Sequence, residues 1–93
     1  MREKIIEKKL VQAVKIAGGI APKFTSPGFD GMPDRLVLLP GGCMAFVEVK
    51  APGENPRPLQ LARHRLLMSL GFKVYVLEDE GHIGRILDEI RTT

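Results

Sequence analysis

The residues best suited to chemistry are Asp34 and the run Glu48-Val49-Lys50. Side chains alternate along a β-strand, so Glu48 and Lys50 share one face while Val49 points to the other. A tight turn at Pro40-Gly41-Gly42 pairs the segment holding Glu48 with the one that follows Asp34. Two carboxylates and one ammonium can then converge at the open end of a sheet. Phosphodiester hydrolysis uses such a set. Hard oxygen ligands recruit Mg²⁺ or Mn²⁺, and the cation activates a water and neutralises charge growing on the phosphate. A lysine orients that water or stabilises the transition state. Holding Glu48 and Lys50 in an otherwise apolar strand costs several kcal/mol unless they are paired or metal-bound. The plainer alternative is an aspartate ending a loop, with a Glu–Lys pair on the wet face of an edge strand.

Other chemistries find little footing. Cys43, His64 and His82 make no zinc site at these spacings. Cys43 has no neighbouring base to make it a nucleophile. Gly18-Gly19 and Gly41-Gly42 read as helix-end and hairpin glycines, so no phosphate loop and no organic cofactor is expected. A single cysteine allows no internal disulfide, which suits a reducing cytoplasm.

The elements that must position the set follow from periodicity. Residues 3 to 17 predict a helix, with Ile5, Ile6, Leu10, Ala13, Val14, Ile16 and Ala17 on one broad face. Ile20 to Phe24 reads as a short strand and 25–31 as a loop. Arg35 to Leu39 and Cys43 to Lys50 form the hairpin strands. Pro52, Pro56 and Pro58 impose a loop before a helix from Leu59 to Leu70, closed by Gly71. A strand from Phe72 to Leu77, a turn at Asp79–Gly81 and a last helix striped by Ile83, Ile86, Leu87 and Ile90 complete the chain. The order α-β-β-β-α-β-α implies an α/β fold with a mixed sheet of about four strands flanked by helices. The 93 residues read as one domain without repeats.

On the second helix, Leu59, Ala62, Leu66 and Leu70 are taken as the inward stripe. Leu61 and Met68 face away from it and suggest a homodimer surface, or scattered exposed apolar residues. Gln60 could satisfy the helix start, and His64, four residues on, shares its face. Near the N-terminus, Glu7 lies at the margin of the buried stripe and could lean toward the sheet. Glu3 is one turn earlier on the same side, and the alternative for Glu7 is a surface pair with Lys4 or Lys8.

Charge is slightly positive and unevenly spread. Residues 2 to 23 are basic, including Lys8 and Lys9, as are 57 to 73 with Arg57, Arg63 and Arg65; the end of the chain is acidic. A polyanion meeting one side of the molecule fits this, and so do solvated helix faces. No apolar run reaches the ~20 residues that cross a bilayer, and the N-terminus reads as neither signal peptide nor anchor.

Gly31-Met32-Pro33-Asp34 followed by Phe46-Val47-Glu48-Val49-Lys50, within this element order, resembles the PD-(D/E)XK nuclease superfamily and, within it, the VRR-NUC branch. The resemblance includes a first-helix glutamate, the Gly-Gly, and Pro58-Leu59-Gln60 opening the next helix. It runs from about Glu3 to Leu77. It implies a restriction-endonuclease-like core, with Asp34, Glu48 and the main-chain carbonyl of Val49 as metal ligands and Lys50 as the catalytic lysine. It also implies that Gln60 supports the site and that Glu7 reaches toward the metal. Stand-alone proteins of this branch resemble viral or bacterial nucleases that cut Holliday junctions as homodimers. The resemblance therefore implies Mg²⁺- or Mn²⁺-dependent cleavage of branched DNA in a bacterial or virus-infected cell. Arg57, Arg63, His64, Lys8 and Lys9 are the expected DNA contacts, mostly to phosphates. Nicking or restriction-type cleavage of other DNA, or a silent DNA-binding module, are the alternatives.

Overall fold

A computed structural model describes residues 2–92. Helix α1 (Arg2–Ile16) leads into a hairpin of β1 (Arg35–Leu39) and β2 (Cys43–Val49). Helix α2 (Pro58–Ser69) then carries the chain to β3 (Val74–Leu77), and a 3₁₀ turn (Glu80–His82) opens α3 (Ile83–Arg91). The sheet order is β1-β2-β3, antiparallel between the first two and parallel between the last two. Gly41 and Gly42 both take positive φ in the hairpin turn, a conformation that favours glycine.

The strand expected at Ile20–Phe24 is replaced by two isolated bridges, Ile20 to Leu38 and Lys23 to Arg35. Ile20 exchanges both backbone hydrogen bonds with Leu38, and Phe24 donates to the Asp34 carbonyl. Between them Pro22 accepts from Leu36 but has no N–H to return. The proline interrupts the ladder, so the sheet has three strands and this segment only lines its edge.

Alternation divides the sheet into two faces. Val37, Leu39, Ala45, Val47, Val49 and Leu77 join one buried cluster with Ile6, Leu10 and Val14 of α1 and Ile83, Ile86, Leu87 and Ile90 of α3. The α3 stripe matches the sequence pattern. The α1 stripe is narrower than its apolar content suggests, because Ile5 and Ile16 stay exposed. Leu36, Leu38, Met44, Phe46, Glu48, Val74 and Val76 belong to the opposite face.

On that second face α2 does not lie as its apolar pattern predicts. Its buried residues are Gln60, His64 and Leu67, whereas Leu59, Leu66 and Leu70 are exposed. Apolar residues surround this helix on nearly every side, so hydrophobicity alone selects no orientation. The buried Glu48 beneath it does, because a carboxylate out of water requires polar partners. Among the described residues no helix is long and apolar enough to cross a membrane.

Candidate active site

The hairpin register sets Arg35 opposite Val47, which places Asp34 beside Glu48 at the end of the β1–β2 pair. The Val49 N–H donates to Asp34 Oδ2 at 3.1 Å, so the main chain at Val49 faces this carboxylate. The convergence expected from alternation and a tight turn is therefore present. Glu48 is only 1% exposed. Its Oε2 accepts from Gln60 Nε2 at 2.9 Å and lies 3.6 Å from Lys50 Nζ. Its Oε1 is buried with no hydrogen-bond partner, and His64 Nε2, likewise buried and unpartnered, stands 4.0 Å away.

Burial pushes the Glu48 carboxyl up to about 7, and the neighbouring Asp34 charge adds to this while Lys50 opposes it. Burial also lowers the His64 imidazole, with Asp34 opposing and Lys50 assisting. Desolvation and the like charge both disfavour the ionised form of Glu48, which a bound cation would favour. One buried acceptor without a donor, two adjacent carboxylates and the Val49 main chain fit a hard divalent cation. Among the described residues no group of three or more His, Cys, Asp or Glu is arranged to hold a metal ion by side chains alone. The residues here that could hold such a cation are Asp34 and Glu48, with the main chain at Val49 beside them.

Gln60 does both things its position allows. It accepts from the Arg57 N–H at 2.8 Å, satisfying the start of α2, and donates to Glu48. That pairing fixes which end of the amide points where, and ties the helix start to the carboxylate. Glu7 leans toward the sheet and accepts from Arg35 Nε at 2.9 Å. Glu3 and Glu7 both line a cleft of about 270 Å³ with Lys23, Phe24, Thr25 and Asp34. Both first-helix glutamates thus border the site, with Arg35 engaging Glu7.

The expected DNA contacts separate into those at the cleft and those away from it. Arg57 is exposed three residues before Gln60. Lys8 lines a groove with Lys4, Glu7, Lys23 and Arg35, continuing the same side of the molecule. Lys9 points elsewhere, in an ion pair with Glu80 at 2.8 Å. Arg63 is engaged with the 25–31 loop: its Nε donates to the Asp30 carbonyl at 2.7 Å and its guanidinium covers the Phe29 ring. His64, expected as a DNA contact, is instead buried with its Nε2 4.0 Å from Glu48. Leu61 and Met68 are exposed as expected, but so is most of the stripe assumed to lie inward.

One contributor, Arg35, carries no site signal in the sequence pattern beyond being a basic residue directly after the Pro-Asp pair. Arg35 stood only as the first residue of a strand, yet it links Glu7 to the Ala21 carbonyl. His64 was visible as sharing the Gln60 face, but its burial depended on how α2 turned.

No family model matches the chain. It is 56% identical over 80 residues to "Putative nuclease p44" of Acyrthosiphon pisum secondary endosymbiont phage 1, covering 86% of each chain. It is also similar to a solved structure described as a VRR_NUC domain, with a TM-score of 0.89 and 30% identity over 95% of this chain and 96% of the other.

Proposed function

The chain belongs to the VRR_NUC family, and on that premise we propose that it is a nuclease that hydrolyses DNA phosphodiester bonds with Mg²⁺ or Mn²⁺ held by Asp34, Glu48 and the main-chain carbonyl of Val49. The observation that carries this reading is Glu48: fully buried, beside Asp34, tied to Gln60 and Lys50, and left with one oxygen unpartnered. A purely structural role would leave that arrangement destabilising without compensation.

The bound cation would supply an activated water and neutralise charge at the phosphate. The protein's own groups do the rest. Lys50 presents its ammonium beside Glu48, where it orients the attacking water and stabilises the growing negative charge. Gln60 keeps the Glu48 carboxylate from rotating by holding Oε2. Arg35 anchors Glu7 at the cleft wall, from which that carboxylate can act on the hydrated cation. Lys4, Lys8, Lys23 and Arg57 would bind phosphates along the approach, so binding should weaken steeply with salt and discriminate little by sequence.

The substrate is branched DNA such as a four-way junction, cut by a homodimer in the cytoplasm of a bacterial or infected cell. Leu61 at 40% and Met68 at 51% exposure, seven residues apart on one flank of α2, support a self-association surface. A two-fold pair of sites suits a junction that needs two cuts.

Cleavage of a labelled four-way junction and the matching linear duplex, with Mg²⁺, Mn²⁺ or EDTA, tests the reading. Glu48→Gln and Lys50→Ala run alongside the wild type. Metal-dependent cutting of the junction that both variants lose is the expected result. Equal cutting of both DNAs would keep the chemistry and discard the junction preference. DNA binding without cutting under any metal would leave a binding module. Sedimentation of wild type against Leu61→Glu/Met68→Glu reads the oligomeric state in the same preparations.

A further inference from the structure

Four phenylalanines and one tyrosine are the chain's aromatic residues. Three phenylalanines are used in packing: Phe24, Phe46 and Phe72 meet edge to face, with centroids 5.7 and 5.9 Å apart. Tyr75 packs against the main core. Phe29 joins none of these ring pairs, and like Phe72 at 42% it keeps 40% of its surface in solvent.

Its surroundings hold it firmly. The Phe29 N–H donates to the Ser26 carbonyl at 3.0 Å, closing a turn at the loop tip. Arg63 of α2 donates to the next residue's carbonyl, that of Asp30, and lays its guanidinium 3.9 Å from the ring centroid. Gly31, at φ +90°, lets the loop press on α2, since a Cβ there would stand 2.8 Å from Leu59 Cγ and 3.1 Å from the Leu59 carbonyl oxygen. A ring serving only to staple the loop to the helix would gain most by being buried. This one is fixed, backed by a cation, and still open to solvent.

Its location gives that exposure a use. The loop runs directly into Pro33-Asp34, and Arg63 stands one helical turn, about 5 Å along the axis, beyond Gln60. The ring thus sits on the loop that leads into Asp34, and it is clamped to the same helix whose Gln60 holds Glu48. An aromatic face next to a positive charge is the pairing that single-stranded nucleic-acid sites use, because every base offers a π-face.

We propose that Phe29, clamped by Arg63, is a stacking platform for an unpaired nucleobase adjacent to the cleaved phosphate. The proposal rests on the nuclease reading and deepens it: the branch preference comes from capturing a base that a continuous duplex keeps stacked. Arg63 then holds the ring from behind and adds charge, a role different from the direct phosphate contact expected of it.

The chain has no tryptophan, so Phe29→Trp creates a unique emission at the platform. With EDTA present, titration with forked DNA should quench that emission. A blunt duplex of the same sequence, or a fork with abasic spacers at the unpaired positions, should leave it nearly unchanged. By anisotropy, Phe29→Leu, which keeps apolar bulk without a π-face, should bind the fork about tenfold more weakly and lose most of its preference over duplex. Phe29→Tyr should keep that preference. Far-UV circular dichroism confirms that each variant folds, and Arg63→Gln, which spares the ring, should lower fork affinity in the same direction. The proposal is overturned if forked DNA binds without quenching, if abasic and normal forks quench alike, or if Phe29→Leu discriminates like wild type. Wild-type protein that binds and cuts DNA in those cases leaves the nuclease reading standing. Wild-type protein that neither binds nor cuts any DNA brings down both.

Discussion

The two faces of the sheet are built from alternate residues of the same strands and obey opposite rules. Ala45, Val47 and Val49 of β2 look into a wholly apolar layer closed by α1 and α3. Phe46 and Glu48, one residue out of step, look toward α2, where the buried side chains are Gln60, His64 and Leu67. One face gains from every methylene it buries. The other spends stability to keep a carboxylate out of water, and turns the polar side of a helix inward to support it. Packing and chemistry are thus separated by a single step along a strand.

That separation can be broken from either side. The largest effect is expected from Glu48→Gln, which should lower metal-dependent cleavage by about a thousandfold or more, while its midpoint in thermal unfolding stays level or rises, because a desolvated charge is removed. A fall in stability with activity retained would reverse the assignment of the two faces. Ile86→Ala, on the apolar side and 1% exposed, should do the opposite: a loss of about 2–5 kcal/mol in urea unfolding, with the folded fraction cleaving at the wild-type rate below its transition.

The pH dependence of stability sharpens the comparison. The folded Glu48 carboxyl titrates near 7, against 4.5 for the ordinary value. Between these limits the folded state holds a proton that the unfolded chain has released. Metal-free stability should therefore be highest at the acid end of that window and fall as pH rises through 7, by ~3 kcal/mol at most. Urea titrations from pH 4.5 to 8 on wild type and Glu48→Gln should differ in slope only there. The smallest of these effects is expected at Gln60→Leu. It leaves the Arg57 N–H and Glu48 Oε2 without their shared partner, and cleavage should fall about 10- to 100-fold. An equal loss in Leu67→Ala, the apolar neighbour on the same buried side of α2, would show that helix seating rather than Gln60 is responsible.

Much of this arrangement was legible beforehand, and the exceptions have particular causes. The helices, the hairpin and the meeting of Asp34 with Glu48 all rest on local signals: periodicity, the Pro40-Gly41-Gly42 turn and strand alternation. The strand expected at Ile20–Phe24 reduces to bridges because Pro22 lacks one donor. Lys9 and Lys8 are adjacent in sequence and look equally basic, but a helix sends neighbours about 100° apart, one toward Glu80 and the other into the groove beside Glu7 and Arg35. Arg63 looked like a phosphate contact because nothing local reveals that the 25–31 loop folds onto it.

The sequence by itself determined which side chains share a face within each strand and where the chain turns, because the pleat and the backbone demands of proline and glycine act between near neighbours. Only the tertiary structure decided which side of α2 faces inward, and so that Gln60 and His64 rather than Leu59, Leu66 and Leu70 meet the sheet. A helix whose apolar and polar residues are spread around its whole circumference carries no preferred orientation of its own. The buried Glu48 carboxylate, brought there by another part of the chain, supplies one by requiring polar partners.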